Sequence, residues 1–321
     1  MHTRNVLAIG AAFALALPVA ACGGGDESTA TAGSGSTEEL SGTITVDGSS
    51  TVFPFVQAAA ELFQEEAPNV QVTVGQSGTG GGFEKFCAGE TDISNASRPI
   101  KEDEEVPVCE EAGIGFGEVH VTNDGLSVVT NKALAVDCLT TGQLKELWNK
   151  GSQVQRLSDL DPQLPDTELS LYGPGTDSGT FDYFTDEING EEGVTREDYQ
   201  ASEDDNQLVT GVSGDEGGLG YFGFSYYEEN QDKLNLVGVD AGDGCVKPSQ
   251  ETIQDGTYKP LSRPLLMYPS AKAIARPEVK AFMEFIVENE AQIAEAAQFV
   301  PLTEEQKAAA REALTKAEQA Q

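Results

Sequence analysis

Short apolar segments of two kinds alternate along most of the chain. Residues 43–46 alternate apolar and hydroxyl side chains, all β-branched, which is typical of a half-buried strand. Residues 56–66 then place apolar side chains at helical spacing, and Pro68 ends that helix. Residues 70–74 predict a second strand and residues 83–88 a short helix. This order of strands and helices predicts an α/β fold with mostly parallel sheets.

The central and C-terminal parts of the chain continue the same pattern. Residues 169–172 and 217–224 predict strands, and residues 181–188 predict a helix. The Ala- and Glu-rich segments 278–299 and 304–320 predict two long helices. No period of 20–50 residues repeats, which excludes a solenoid.

The chain is expected to pass twice between two structural units. Strand-like residues 120–122 and 126–130 flank Asn123-Asp124-Gly125, where the chain would enter the second unit. Residues 261–268 would form the strand that carries it back to the first unit.

Three turns share one context, because each follows a strand and opens a helix: residues 49–52, 77–82 and 178–180. The first backbone N–H groups of a helix have no partner within it, and the positive end of the helix dipole lies there. Glycine lets a ligand approach the backbone, and Ser and Thr add hydroxyl donors. Helix capping explains any one turn, but three in the same context predict an oxyanion site that needs no metal.

The first 41 residues are predicted to lie outside the folded body. Arg4 and the short apolar stretch 6–19 are typical of a signal peptide, and Val19-Ala20-Ala21-Cys22 resembles a lipobox. We therefore expect a signal peptide over residues 1–21 and a lipid on the thiol of Cys22; plain signal-peptidase cleavage is the alternative. Residues 22–41, rich in Gly, Ser, Thr and Glu, predict a lipidated, flexible tether.

The charge of the chain excludes several classes of partner. Its 321 residues include 19 Lys and Arg against 54 Asp and Glu, which gives a formal charge of -35. Such a surface repels phosphate backbones, so no nucleic-acid partner is expected. The apolar content of 39% fits a soluble body and rules out a protein with many membrane spans. A buried site of N–H groups and one or two cations can still take an anion.

Nucleotide hydrolysis and serine hydrolysis are both disfavoured. Residues 75–80 have the G-x4-G spacing of a phosphate loop, but Gly81 stands where its lysine is required. No G-x-S-x-G motif occurs, and after cleavage the chain holds one histidine, His120, which we expect to pack at a strand end. No His, Cys and carboxylate cluster has metal-binding spacing, so neither a metal nor another cofactor is predicted.

Four segments together resemble the periplasmic phosphate-binding proteins of ABC transporters: Asp47 to Pro54, Ser77 to Gly82, Asp92 to Pro99 and Tyr172 to Tyr183. The resemblance runs in order from about residue 42 to residue 302. It implies an α/β, two-lobed periplasmic-binding-protein fold (type II) with the ligand cleft between the lobes. By this analogy, lobe one is residues 42–123 plus 261–321, and lobe two is residues 124–260.

The resemblance also implies a set of phosphate-binding residues, carried over by position: Ser50, Thr51, Val52, Ser77, Thr79, Ser97, Arg98, Asp177, Ser178, Gly179 and Thr180. The best-known branch of the family has an Arg shortly before its Ser-Gly-Thr, where Pro174 stands here. It has an Asp after the third strand, where this chain has Ser97-Arg98. We therefore expect Arg98 to supply the positive charge and Asp177 to accept a ligand proton. A surface ion pair with residues 102–105 is the alternative role for Arg98.

The remaining cysteines form an even number in an exported chain, where disulfides are expected. Cys87, Cys109, Cys138 and Cys245 allow three pairings. We predict Cys87–Cys109, which closes a local loop, and Cys138–Cys245, which joins the ends of a central segment. The other pairings would tie segments assigned to different lobes and would oppose hinge motion.

These features predict a lipid-anchored, monomeric receptor on the outer face of the cytoplasmic membrane that binds inorganic phosphate and delivers it to an ABC permease. A carboxylate in the site would favour phosphate, which carries a proton to donate, over sulfate, which carries none. A receptor for sulfate or molybdate and a phosphate sensor are the alternatives. A phosphatase on the same fold is disfavoured, so no enzymatic activity is expected.

Overall fold

A computed structural model describes residues 40–176 and 178–319. Cys22 and Asp177, both singled out by the sequence, lie outside the described residues. The strands are β1 (Ser41–Gly48), β2 (Asn69–Val74), β3 (Ile93–Ala96), β4 (Val119–Asn131), β5 (Cys138–Thr140), β6 (Ser170–Pro174), β7 (Gln200–Ser202), β8 (Gly218–Gly223), β9 (Leu234–Asp240), β10 (Cys245–Val246) and β11 (Ser262–Pro269).

Helices cover the strands and form the C-terminal part of the chain. They are α1 (Phe53–Glu66), α2 (Gly78–Cys87), α3 (Glu105–Glu111), α4 (Thr141–Trp148), α5 (Gly179–Phe184), α6 (Asp205–Gly214), α7 (Phe224–Glu229), α8 (Gln250–Gln254), α9 (Ala271–Ile274), α10 (Pro277–Glu288), α11 (Glu290–Ala296) and α12 (Glu304–Gln319). A π-helical turn, Thr185–Asn189, directly follows α5. Among the described residues, no helix combines the length and apolar character needed to cross a membrane.

The first part of the sheet has the strand order β2-β1-β3-β11-β4. β1 pairs in parallel with β2 and β3, whereas β11 runs antiparallel between β3 and β4. A core that includes Ile44, Phe63 and Phe282 packs α1 and α10 against these strands. The rings of Phe63 and Phe282 lie 5.3 Å apart, centroid to centroid.

The second part of the sheet has its own core. Here β4 pairs with β8 on one side and β9 on the other, and β6 and β7 extend the sheet beyond β8. Trp148, Phe184 and Tyr221 are fully buried in this core. Phe184 stacks on Tyr221 with ring centroids 3.7 Å apart, and Trp148 meets Tyr221 edge-on at 4.9 Å.

The long strand β4 joins the two parts. Up to Gly125 it pairs with β11, and from Leu126 onward it pairs with β8. The sequence predicted two strand segments flanking Asn123-Asp124-Gly125; the structure has one continuous strand through them. The chain returns at Leu261, whose carbonyl oxygen accepts from Leu126 N–H at 2.9 Å.

Three predicted helices differ from those observed. α2 begins at Gly78 rather than at residue 83, so the glycines predicted as a turn form its first helical residues. Gly82 packs closely on β1, because a Cβ there would lie 2.5 Å from Gly48 Cα. The helix predicted over residues 181–188 is α-helical only to Phe184 and continues as the π-helical turn. The helix predicted over 278–299 is interrupted at Asn289, which separates α10 from α11.

Both predicted disulfides, Cys87–Cys109 and Cys138–Cys245, are confirmed. The first joins α2 to α3, and the second joins β5 to β10. Each therefore links elements within one core region. His120 lies on β4, where its Nε2 is 3.0 Å from the carbonyl oxygen of Thr122, and burial lowers its pKa.

Candidate binding site

A cavity of about 560 Å³ lies where the turns after β1 and β3 meet the start of α2 and the later part of α5. Hydroxyl groups, glycines and charged side chains dominate its lining. The lining residues are Ser49, Ser50, Thr51, Ser77, Gly78, Thr79, Gly80, Gly81, Ser97, Arg98, Lys101, Asp182, Tyr183, Asp186, Glu187, Glu192 and Arg263.

Hydrogen bonds to β3 and within the turn itself hold the turn between β1 and α1 in place. Ser49 N–H donates to the carbonyl oxygen of Asn95 on β3 at 3.0 Å, and Ser49 Oγ accepts from Thr51 N–H at 3.2 Å. Ser49 and Thr51 are buried, while Ser50 is half-buried. Thr51 Oγ1 donates to the carbonyl oxygen of Gly179 at 3.2 Å, so this turn contacts the start of α5.

The turn before α2 is held by a carboxylate. Ser77 donates from its backbone N–H at 3.0 Å and from its hydroxyl at 2.5 Å, both to Asp47 Oδ1. Lys85 Nζ lies 2.6 Å from Asp47 Oδ2. Burial opposes ionisation of Asp47, but the hydrogen bonds from Lys85 and Ser77 outweigh it and lower its pKa. Both Ser77 donors are therefore engaged by Asp47.

The turn before α5 borders a second cavity, of about 340 Å³. Ser178, Gly179 and Thr180 line it, and Ser50 and Thr51 lie on both cavities. Ser178 caps α5, because its Oγ accepts from Thr180 N–H at 3.2 Å. The β1–α1 turn thus stands between the two cavities.

One arginine joins the first and third turns; we name Arg263, Asp124, Thr51, Gly179 and Tyr183 the Arg263 cluster. Arg263 Nε lies 3.1 Å from Asp124 Oδ2, and its Nη2 donates to Thr51 Oγ1 at 2.9 Å and to the Gly179 carbonyl at 3.4 Å. The guanidinium lies 3.6 Å from the ring centroid of Tyr183. Burial raises the pKa of Asp124, and Arg263 opposes that rise.

Four other polar residues on the same cavity form a second group together with Glu105, the partner of Arg98. We name Thr79, Ser97, Arg98, Lys101 and Glu105 the Arg98 cluster. Arg98 makes two hydrogen bonds to the Glu105 carboxylate, at 2.8 and 2.9 Å. The Thr79 and Ser97 hydroxyl oxygens are 3.0 Å apart. Burial would raise the pKa of Glu105, but Arg98 and the backbone N–H of Lys101 lower it overall.

Four carboxylates from α5 and the segment after it also line the cavity: Asp182, Asp186, Glu187 and Glu192. Asp182 Oδ2 accepts from the Ser50 hydroxyl at 3.4 Å. Burial, together with the neighbouring Glu192, raises the pKa of Asp182. Burial and Asp186 raise that of Glu187. The cavity therefore combines donors with two carboxylates, Asp182 and Glu187, whose pKa values are raised.

Comparison with known proteins places the chain in a family. The model of the PBP superfamily domain matches residues 28–290, which is most of the chain. The chain belongs to the PBP superfamily. Within it, the protein SphX of Synechococcus elongatus is 47% identical over 262 residues, covering 81% of this chain and 77% of that protein.

Two further superfamily members extend this relationship. The phosphate-binding protein PstS of Staphylococcus saprophyticus is 40% identical over 294 residues, covering 91% of this chain and 88% of PstS. A crystal structure from Planctomyces limnophilus, described as a possible phosphate binding protein, superposes with a TM-score of 0.82 at 43% identity and covers 87% of this chain and 99% of that one. The chain thus belongs to the SphX and PstS family and has its two-lobed α/β fold.

Against this superfamily fold, the predicted site residues fall into three groups. Ser50, Thr51, Ser77, Thr79, Ser97 and Arg98 line the larger cavity, and Ser178, Gly179 and Thr180 line the smaller one. Val52 is fully buried in the first core, at the N-cap of α1. Within residues 40–176 and 178–319, no group of three or more His, Cys, Asp or Glu is arranged to hold a metal ion.

Arg263 lines the larger cavity, and the sequence does not single it out as a site residue. The segment 261–268 was identified only as a returning strand. A signal was present, since Arg263 is a cation in a strand that also carries Leu265, Leu266 and Met267, in a chain with few cations. A charged residue in such a strand is costly to bury without a partner.

Proposed function

We propose that this protein binds inorganic phosphate in the cleft between its lobes and delivers it to an ABC permease. One observation supports this most strongly: hydroxyl-bearing turns converge with a buried arginine on one cavity. Such a donor set suits a tetrahedral oxyanion. The relative PstS, which is named a phosphate-binding protein, supports the same ligand.

The lobe boundaries are part of this proposal. We place lobe one at residues 42–123 plus 261–321 and lobe two at residues 124–260. The change of β4 partner after Gly125 and the return of the chain at Leu261 support these limits. Leu261 and Val300 are exceptions, since they lie in lobe one by sequence but pack in the second core.

The binding residues proposed from the sequence are Ser50, Thr51, Val52, Ser77, Thr79, Ser97, Arg98, Asp177, Ser178, Gly179 and Thr180. For Ser77 and Arg98, binding would require phosphate to compete with Asp47 and Glu105 respectively. Asp182 is a further candidate to accept a phosphate proton, because it lines the cavity beside Ser50. A carboxylate there would disfavour sulfate, which has no proton to donate.

Calorimetry of the purified protein tests the ligand. We expect phosphate to bind with one site per chain, and sulfate and molybdate to bind far more weakly. Asp182→Asn should narrow the preference for phosphate over sulfate, because a neutral amide no longer repels sulfate. Sulfate binding as tight as that of phosphate in the unaltered protein would show that the ligand is wrong.

The proposed role is reception rather than catalysis. The name of the relative PstS, a phosphate-binding protein, supports this role. A sensor for a signalling partner would use the same site, so transport must be tested in cells. Phosphate uptake should fall when the protein is deleted and return when it is restored; unchanged uptake together with a changed phosphate response would favour the sensor.

We also propose that the protein is an exported monomer, held at the outer face of the cytoplasmic membrane by lipid on Cys22. The sequence before residue 41 supports this, as does membership of a family of extracytoplasmic binding proteins. Stable attachment requires more than one acyl chain. Cys22→Ser should move the protein from the membrane fraction to the soluble fraction, and continued membrane association of this variant would exclude the anchor.

A further inference from the structure

We propose that Arg263 supplies the principal positive charge that binds the oxyanion, and that it does so from a strand joining the two lobes. This inference rests on the proposed phosphate-binding function. The sequence directed attention to Arg98, whereas the contacts and burial of the two guanidinium groups favour Arg263.

The position of Arg263 is the first argument. It lies opposite Asp124 in the antiparallel register of β11 and β4, next to the point where β4 changes partners. Its Nη2 reaches Thr51, before α1, and Gly179, at the start of α5. An anion bound to Arg263 would therefore lie between the turn of the first core and the turn of the second.

The partners of Arg263 are the second argument. Its Nη2 donates to a hydroxyl and a carbonyl oxygen, both of which are neutral acceptors. A phosphate oxygen carries charge and accepts a stronger hydrogen bond than either. Arg98, by contrast, directs both terminal nitrogens at the Glu105 carboxylate. An anion at Arg98 must displace another anion, whereas at Arg263 Nη2 it competes only with neutral oxygens.

Burial is the third argument. The side chain of Arg263 is 11% exposed and that of Arg98 is 35% exposed. Electrostatic attraction is stronger where water is excluded. Tyr183 covers one face of the Arg263 guanidinium and is itself fixed by its hydroxyl, which donates to the Pro260 carbonyl at 2.5 Å. The guanidinium is thus oriented before a ligand arrives, which reduces the entropic cost of binding.

Titration of inorganic phosphate into matched variants tests this assignment. Arg263→Met should weaken phosphate binding by roughly 30-fold or more, as expected when one partner of a buried charge pair is removed. Arg263→Lys should recover part of that loss, because it restores charge without the planar fork. Arg98→Met should weaken binding much less than Arg263→Met, because Glu105 already engages both terminal nitrogens of Arg98.

Arg196 provides the control for burial alone. Its side chain is 5% exposed and pairs with Asp198 in the second core region, and it is not among the residues that line the site cavity. Arg196→Met should destabilise the fold yet leave phosphate affinity unchanged in the folded protein. If Arg263→Met does not fold, the double variant Asp124→Asn/Arg263→Met is used in its place. The double variant leaves no unpaired buried carboxylate.

The outcomes separate the two proposals. If the unaltered protein does not bind phosphate, the proposed function is wrong. If it binds phosphate and the folded Arg263→Met variant, or its double-variant replacement, binds within about threefold of it, the assignment of Arg263 is wrong while the function stands. A larger loss for Arg98→Met than for Arg263→Met would also overturn the assignment and return the principal charge to Arg98.

Discussion

The Arg263 cluster and the Arg98 cluster place the same kind of cation on the same cavity in different surroundings. Arg263 is almost buried, pairs with the buried Asp124 and contacts turns from both cores. Arg98 is more exposed and forms a two-point ion pair with Glu105, seven residues along the chain. The difference teaches that lining a cavity does not by itself define the role of a charged side chain. How deeply the side chain is buried, and which partner it already has, define that role.

The largest contrast between the clusters should appear in stability. Asp124→Ala leaves Arg263 buried without its carboxylate, which typically costs about 3–5 kcal/mol of unfolding free energy. Glu105→Ala leaves Arg98 able to reach water, so its cost should be about 1 kcal/mol or less. Urea unfolding at neutral pH measures both. Equal losses would show that the clusters do not differ in burial as described.

Replacing a glycine by alanine should change stability in opposite directions near the two arginines. A Cβ at Gly179 would lie 2.4 Å from Thr51 Oγ1 and 2.6 Å from Thr51 N, so Gly179→Ala should destabilise by about 1–3 kcal/mol through overpacking. At Gly80, inside α2, the nearest contact would be Arg98 Nη2 at 3.9 Å. Gly80→Ala should stabilise by about 0.5–1 kcal/mol, because alanine is the better helix former.

Thermal unfolding of the two glycine variants gives the signs directly. If Gly179→Ala is as stable as the unaltered protein, the first and third turns do not approach each other as closely as described. If Gly80→Ala is destabilised, there is no room for a methyl group between Gly80 and Arg98 as described.

Two threonines allow the same substitution in each cluster. Thr51→Val removes the hydroxyl that accepts from Arg263 and donates to Gly179, leaving both without that partner at a cost of about 1–2 kcal/mol. Thr79→Val removes two contacts with the half-buried Ser97, one to its hydroxyl and one from its backbone N–H. Because Ser97 is partly open to solvent, the cost should be under about 1 kcal/mol. Denaturant midpoints rank the pair, and the reverse order would contradict the comparison.

The pH dependence of stability should differ in direction between Asp205, which lies beside the Arg263 cluster, and Glu105, which belongs to the Arg98 cluster. Asp205, on the smaller cavity with Asp124, has its pKa raised to about 7, first by burial and then by Asp204, Glu203 and Asp124. An unfolded Asp titrates near roughly 3.9. The folded state therefore binds more protons between these values, and this group lowers stability as the pH rises from about 4 to about 7.

Glu105 acts in the opposite sense. Its pKa is lowered in the folded protein, so its contribution is present above its unfolded pKa and is lost as the pH falls through the folded value. Asp205→Asn should flatten the decline in stability between about pH 4 and pH 7, whereas Glu105→Gln should alter only the more acidic limb. Unfolding free energies across a pH series decide this, and an unchanged decline in Asp205→Asn would exclude Asp205 as its source.

Features set by nearby residues could be predicted from the sequence. β1, α1 and the turn between them follow from β-branched residues, helical spacing and the position of Pro68. The Cys87–Cys109 disulfide joins cysteines 22 positions apart and is predictable in the same way, whereas the prediction of Cys138–Cys245, 107 positions apart, rests on the expected lobes. The sequence predicts a turn over residues 77–82, whereas α2 already begins at Gly78. The close packing of Gly82 on β1 depends on a contact that exists only in the folded chain.

Arg263 could not be ranked above Arg98 from the sequence, because its partners are far away along the chain. Asp124 is 139 residues away and Thr51 is 212 residues away. Glu105, by contrast, lies within the same acidic stretch that the sequence already offered as a partner for Arg98. Long-range pairing of strands, rather than any local motif, therefore creates the buried charge pair.

The position of β11 has a consequence for the order in which the chain folds. This strand lies between β3 and β4 in the sheet, yet it is made only after residue 261. A chain that emerges from the N-terminus can complete the pairs of β4 with β8 and β9 first, while the gap between β3 and β4 stays open. Domains often fold as units during synthesis, from the N-terminus onward. Here the first part of the sheet, which contains the N-terminal strands, is expected to finish folding last. The insertion of β11 between β3 and β4 then brings Arg263 to Asp124 as one of the final steps.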